Sequence, residues 1–204
     1  MASSRGSRGA WLSWNVRSSA EIILMEAAKI VLLCVGSAIL YGISHDQVTA
    51  RVCVEYFTVG HPPVFDTDSP TLLALGWGVI ATWWVGLMLG IPAALAARVG
   101  SLPKYDAARL VRPVFGLLLV MGCASLLAGV IGYFVAEAGA VWLVEPLQSQ
   151  VPASKQSAFL ADSWAHLAAY GVGVLGGIAL CGWILFERWK FRNAKPLDYN
   201  IRVR

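Results

Sequence analysis

Three histidines and a few acids are the residues in this chain whose chemistry is most distinctive. Imidazole nitrogen and carboxylate oxygen together suit zinc, iron or manganese. The candidate metal ligands share one side of the topology derived below, and they are His45, Asp46, Glu55, His61, Glu137 and His166. Their spacing matches no metal motif such as HExxH, so the hypothesis depends on the elements that position them.

Two alternatives compete with this metal hypothesis. Haem held between His45 and His166 is one, because helix bundles bind such cofactors in their cores. The other is that the polar residues are solvated loop residues that balance a basic opposite face. The catalytic and cofactor-binding residues stay unassigned, since no phosphate loop, nucleophile elbow or dinucleotide fingerprint occurs. The four cysteines form no CxxC pair, and no disulfide framework is predicted.

The elements that must position these residues are long apolar blocks. Of the 204 residues, 57% are hydrophobic and 14% charged, against about 25% charged in soluble domains. Blocks of roughly 20 apolar residues match the thickness of a bilayer. We predict an all-α membrane protein, a single domain over residues 1–204 that forms a four-transmembrane-helix bundle. The predicted spans are about 22–43, 71–97, 114–143 and 164–186, and a cleaved signal peptide is the competing interpretation of the first.

The lysines and arginines predict the orientation. All of the 16 except Arg51 and Lys155 fall in the N-terminal segment, the middle loop or the C-terminal tail, with Lys29 counted at the inner edge of the first span. Because such residues are retained on the cytoplasmic side, we expect both termini to lie inside and the histidines to lie on the outer side. The net charge of +4 therefore reflects topology, and no nucleic-acid partner is expected.

The outer segment between the first two spans carries much of the polar sequence. Residues 48–57 alternate with a period of two and are rich in β-branched side chains, so we predict a strand there, with continuation of the first helix as the alternative. The stretch Ser44–Thr58, followed by Gly60-His61-Pro62, resembles uncharacterised bacterial multi-pass inner-membrane proteins. The likeness covers this loop and the start of the second span. It implies a bacterial inner membrane and no particular activity.

The spans themselves carry small residues and no central charge. Gly86 with Gly90, and Gly173 with Gly177, form GxxxG pairs that pack helices within one chain or between chains. The absence of a charged residue at the centre of any span argues against a self-contained ion transporter. The tryptophans at 83 and 84, near the middle of the second span, could line a lipid or quinone pocket or simply fill the bundle.

These observations favour a multi-pass membrane protein without its own catalysis, acting as a structural or accessory subunit. Its expected partners are the lipid bilayer and a membrane protein or a second copy of itself. An unpaired strand in the outer segment would seek the edge of a partner. The first alternative is a metal-dependent enzyme or metal-handling protein with its site on the outer face. The second alternative is a small-solute transporter.

Overall fold

Seven α-helices and one short 3₁₀ turn build the described chain. The computed structural model describes the backbone of residues 5–194 and the side chains of residues 21–194. The elements are α1 (Arg5–Val52), α2 (Glu55–Thr58), α3 (Pro70–Ile80), α4 (Trp83–Arg98), α5 (Ala107–Glu137), α6 (Leu147–Gln150), the 3₁₀ turn (Ala153–Lys155) and α7 (Gln156–Asn193). Four stretches are long and apolar enough to cross a membrane: Glu21–Val52, Pro70–Arg98, Ala107–Glu137 and Ala153–Asn193. The predicted all-α fold is confirmed, and four stretches match the predicted spans in length and composition.

The predicted strand at residues 48–57 is wrong. The helix α1 continues to Val52, α2 follows at Glu55, and no strand occurs among residues 5–194. The amide of Cys53 still donates to the Thr49 carbonyl at 2.9 Å, so the peptide groups here are satisfied within one helix. A lone strand would leave them unpaired beside a membrane, which outweighs the β-propensity of the valines.

The third span is shifted towards the N-terminus relative to its prediction. Asp106 caps α5, because its side chain accepts from the Arg109 amide at 3.1 Å. At the other end, Gly139 adopts a φ of +70°. Its amide donates to Ala136, and the next amide donates to Val135, which is the hydrogen-bond pattern of a Schellman cap. The helix therefore stops at Glu137, and residues 138–143 lie outside it.

Small residues bring α1 into backbone contact with the second span. A Cβ atom on Gly86 would lie 2.6 Å from the Val35 Cα, and one on Gly78 would lie 2.5 Å from the Ile43 amide nitrogen. Glycine is therefore required for this approach. The glycine pair Gly86 and Gly90 therefore packs against α1 of the same chain. The sequence alone left open whether it packs within one chain or between chains.

The second span is broken at Ala81 and Thr82, between α3 and α4. The Thr82 hydroxyl donates to the Gly78 carbonyl, one turn earlier. Beside this break, Ala81 and Thr82 face a cavity between the helices. The break separates α3, which packs against Phe57 of α2, from α4, which packs against α1 and α7.

Two ends of the bundle differ in chemistry. We call the end with residues 99–106 and Arg188 the basic end, and the end with residues 53–69 and 138–155 the histidine end. At the basic end the fully buried Arg188 donates to the carbonyls of Pro103 at 2.7 Å, Val99 at 2.9 Å and Leu102 at 3.1 Å, and also to that of Ala96. These carbonyls belong to the last turn of α4 and the loop after it, so one guanidinium ties α7 to them.

Candidate metal centre

Two helices bring three of the predicted ligands together in the histidine half of the bundle. His45 and Asp46 are neighbours on α1, and His166 lies on α7. One possible ligand atom of each residue lies within 4.8 Å of those of the other two. Asp46 and His166 are buried, and His45 is half-buried. We call these three residues the His–Asp cluster.

The backbone of α7 fixes which nitrogen of His166 is free. The Nδ1 atom lies 2.8 Å from the carbonyl oxygen of Asp162, one turn earlier. A carbonyl only accepts hydrogen bonds, so we assign the hydrogen of the neutral ring to Nδ1. The lone pair then lies on Nε2, which is 3.3 Å from Asp46 Oδ1. Because a carboxylate oxygen also carries lone pairs, a proton or a metal ion is required between the two atoms.

A serine on α5 fixes His45 in the same way. The Ser125 hydroxyl donates to the Ala165 carbonyl at 2.9 Å, which uses its one hydrogen. It therefore accepts from His45 Nδ1, 3.3 Å away. The lone pair of His45 is thus on Nε2, which is buried and has no hydrogen-bond partner among the described residues.

These hydrogen bonds hold the two imidazoles in the way that a metal centre holds its histidine ligands. A ligating histidine almost always donates its other ring N–H to a carbonyl, a carboxylate or water, which fixes the tautomer. Two ligands of one tetrahedral ion, each about 2.0–2.2 Å from it, stand about 3.4 Å apart. The separation of 3.3 Å between His166 Nε2 and Asp46 Oδ1 matches that spacing.

His61 borders the same cavity as the His–Asp cluster but is not one of its three members. It follows α2, and its Nδ1 lies 2.8 Å from the Tyr56 carbonyl, so Nε2 again carries the lone pair. Its ring packs against Trp77, with centroids 4.6 Å apart. Burial lowers the pKa of His61, which keeps the imidazole neutral and able to act as a ligand.

Two other predicted ligands lie elsewhere. Glu55 Oε2 accepts from the Cys53 thiol at 3.3 Å, and Glu137 is exposed at the last residue of α5. The residue of α5 that reaches the cluster is Ser125, twelve residues and about 18 Å earlier along the helix. The sequence places Glu137 too close to the histidines because it cannot show how far α5 extends beyond them.

Several residues of the site were missed in the sequence. The Tyr56 ring stacks on His166 with centroids 4.5 Å apart, and Ser125 and Asp162 fix the two tautomers. The acceptor at residue 162 is a backbone carbonyl, which any residue there would carry, so the type of residue 162 gives no signal of it. Nothing in the sequence pairs Ser125 with His45, 80 residues away.

Two other hypotheses from the sequence find no support among the described residues. The rings of His45 and His166 meet edge to face with centroids 4.4 Å apart, which leaves no gap for a porphyrin between them. Trp83 and Trp84 are 48% and 46% exposed on the bundle surface.

Comparison with known proteins adds no constraint, because no family model, curated protein or solved structure matches the chain.

Proposed function

We propose that this chain is a membrane-embedded metal-dependent enzyme that holds a divalent ion of the zinc class at His45, Asp46 and His166. The observation that carries the proposal is the shared tautomer: each imidazole donates Nδ1–H to a neighbour and keeps Nε2 for a ligand. Three protein ligands with a further open position are typical of catalytic rather than structural zinc. An ion held this way supplies Lewis-acid chemistry or a metal-bound hydroxide.

A plain ion pair between Asp46 and protonated His166 accounts for less of the geometry. It would satisfy the 3.3 Å contact but leave Nε2 of His45 buried without a partner. Burial of an ion pair is itself unfavourable unless every remaining polar atom is satisfied. A single metal ion offers a bond to all three side chains at once.

The surrounding sequence favours a resident ion over a transported one. No acidic, basic or histidine side chain occurs between Lys29 and His45, nor between His166 and Glu187. The second span likewise has none from residue 71 to residue 97. Metal transport across a membrane needs ionisable groups along the path, and an ion that reaches the cluster would find no further carboxylate or imidazole on these stretches toward the basic end. The same absence of charged and histidine side chains counts against a transporter of small cations.

The accessory-subunit hypothesis and the cellular setting stay proposals as well. An accessory subunit needs no metal, so the experiment below separates the two functions. The distribution of lysine and arginine supports a cytoplasmic location of both termini, and the resemblance of the stretch Ser44–Thr58 is what supports a bacterial inner membrane. In that orientation the His–Asp cluster would face the outer side, where a metal would arrive without crossing the hydrocarbon.

Metal analysis of the purified protein tests this function. We expect close to one zinc, iron or manganese ion per chain after purification without chelators. His45→Ala, Asp46→Asn and His166→Ala should each lose most of it, while Ser44→Ala, an exposed neighbour on α1, should keep it. A wild-type protein that binds none of these ions, or variants that retain full stoichiometry, would show that the cluster is not a metal centre.

A further inference from the structure

A narrow cavity of about 110 Å³ extends from the His–Asp cluster into the bundle. At the cluster its wall includes His45, Asp46, His61, His166 and Tyr170. At the far end the wall is formed by Cys34, Leu89, Gly177 and Leu180. The cavity therefore joins the proposed metal site to the interior of the membrane-spanning region.

The dimensions of the cavity fit one hydrocarbon chain. Cys34 and Asp46 are twelve residues apart on α1, which corresponds to about 18 Å along the helix. A bilayer has a hydrocarbon core of about 30 Å, so this length is slightly more than one leaflet. The 110 Å³ is the space open to the centre of a water-sized sphere, so over this length it corresponds to a channel of about 3 Å radius, which takes one hydrocarbon chain and not two.

The polarity of the wall changes along this length. Every ionisable carboxylate and imidazole on the wall lies at the cluster end, whereas Ala38, Val85, Leu117 and Met121 line the part below. Water does not occupy a narrow apolar cavity, because it finds no polar partners there. The matching occupant has one polar end and one apolar tail.

The cavity also reaches the lipid-facing surface. Tyr170 belongs to its wall and is 41% exposed on the outside of α7. A membrane-dissolved molecule could enter beside this residue without passing through water. Its head would then lie at the depth of the cluster and its tail would follow the spans.

We infer that the substrate of the proposed metal centre is a single-chain fatty acyl compound. Its oxygen-bearing head group occupies the open coordination position, and its tail occupies the cavity. The carboxylate or acyl oxygen of such a compound is a ligand that zinc-class ions accept. This inference rests on the metal function proposed above, since the ion provides the anchor for the head group.

Two glycines on α7 provide a matched pair of variants. A Cβ atom on Gly173 would lie 3.1 Å from Met121 Cε, a flexible end on the cavity wall, so the side chain of Gly173→Leu enters the cavity. A Cβ atom on Gly171 would meet no atom within 4 Å, and this residue is exposed. Gly171→Leu therefore makes the same chemical change on the same helix outside the cavity.

The test uses palmitic acid with a photoreactive diazirine in mid-chain, added to metal-loaded protein in detergent micelles. We expect Gly173→Leu to reduce labelling at least tenfold with its metal content unchanged, and Gly171→Leu to leave both unchanged. Peptide mapping of the labelled wild type should place the label on cavity residues such as Leu117 or Met121. The corresponding alkane probe, which has no carboxylate, should label these residues less.

The outcomes separate this inference from the metal function. Stoichiometric metal with labelling only of lipid-facing residues such as Leu119 or Leu175 would overturn the fatty acyl site and leave the metal centre standing. A protein without metal would overturn both. If Gly173→Leu does not fold, the labelled positions in the wild type decide the question alone.

Discussion

At the residue scale, the tautomers of the two histidines in the cluster are set by hydrogen-bond partners on another turn of the same helix and on another helix. The sequence identified His45, Asp46 and His166 as candidate ligands from residue type and from their predicted location on the outer side. It could not select them from a larger set, because the hydrogen bond from His45 to Ser125 joins two helices that are distant in the chain. The packing of α1 against α5 determines the tautomer of His45, and therefore which of its nitrogens is free to bind a ligand.

Replacement of Ser125 by alanine should weaken metal binding by about 10–100-fold, the usual effect of removing a hydrogen-bond partner that orients a ligating histidine. The His45 ring would lose the acceptor of its Nδ1–H. Competition with a chromogenic chelator measures the affinity. Ser163→Ala is the control, because the Ser163 hydroxyl bonds only to Phe159 on its own helix. Equal affinities for the two variants would contradict the role assigned to Ser125.

Cys53 should resist alkylation in the folded protein. Burial, followed by the hydrogen bond to Glu55, raises its pKa from 9.0 to about 12. Below pH 9 the reactive thiolate is therefore roughly 1,000-fold scarcer than in an ordinary thiol. A variant whose only cysteine is Cys53 should react with a water-soluble maleimide at pH 8 only after unfolding in detergent. A fast reaction in the folded state would show that the segment after α1 is open to water.

At the scale of the elements, helix existence was predictable and helix ends were not. The apolar blocks identify all four spans, because unpaired peptide groups are excluded from hydrocarbon. The period of two at residues 48–57 suggested a strand. The first half of this stretch is instead the last turn of α1, with Val48 and Val52 on its exposed side and Thr49 and Ala50 on its buried side. A strand needs a neighbouring strand for its backbone hydrogen bonds, and local propensity does not show whether the fold provides one.

The contact between α1 and α4 should not tolerate a larger residue at position 86. Gly86→Leu forces the two backbones apart, because even a Cβ would lie 2.6 Å from Val35 Cα. We expect a loss of at least about 2 kcal/mol in the free energy of unfolding, measured by titration with a denaturing detergent. Gly116→Leu is the matched control, since no atom lies within 4 Å of its Cβ position. Similar stability of the two variants would refute this packing.

The C-terminal end of α4 depends on Arg188. Arg188→Met would leave the carbonyls of Val99, Leu102 and Pro103 without their donor. We expect a loss of about 2–4 kcal/mol, which a lysine does not restore because one ammonium cannot replace the planar guanidinium. The exposed Arg192, one turn later on α7, supplies the control variant Arg192→Met. Thermal unfolding in micelles distinguishes them, and equal melting temperatures would exclude the clamp.

At the scale of the whole molecule, the four spans form one bundle with unlike ends. The basic end is held by Arg188, and the histidine end holds the His–Asp cluster. The sequence predicted this asymmetry from the positions of lysine, arginine and histidine. It did not predict the cavity between them, because a cavity depends on the gap that the helices leave, including the break at Ala81 and Thr82.

The orientation of the bundle is open to a direct test. Alkaline phosphatase fused after residue 60 or residue 155 should be active, because that enzyme folds outside the cytoplasm and both sites lie at the histidine end. A fusion after residue 104, in the basic loop, should be inactive. The expected pattern follows from the retention of lysine and arginine on the cytoplasmic side. The reverse pattern would put the cluster in the cytoplasm.

Two imidazoles and one carboxylate should bind a metal ion in this bundle. X-ray absorption spectroscopy of the zinc-loaded protein at the zinc edge tests it most directly. We expect a shell of nitrogen and oxygen atoms at about 2.0–2.2 Å with the outer-shell scattering of two imidazoles, and no bound zinc to measure in His166→Ala. A spectrum dominated by sulfur at about 2.3 Å, or one without imidazole scattering, would contradict it.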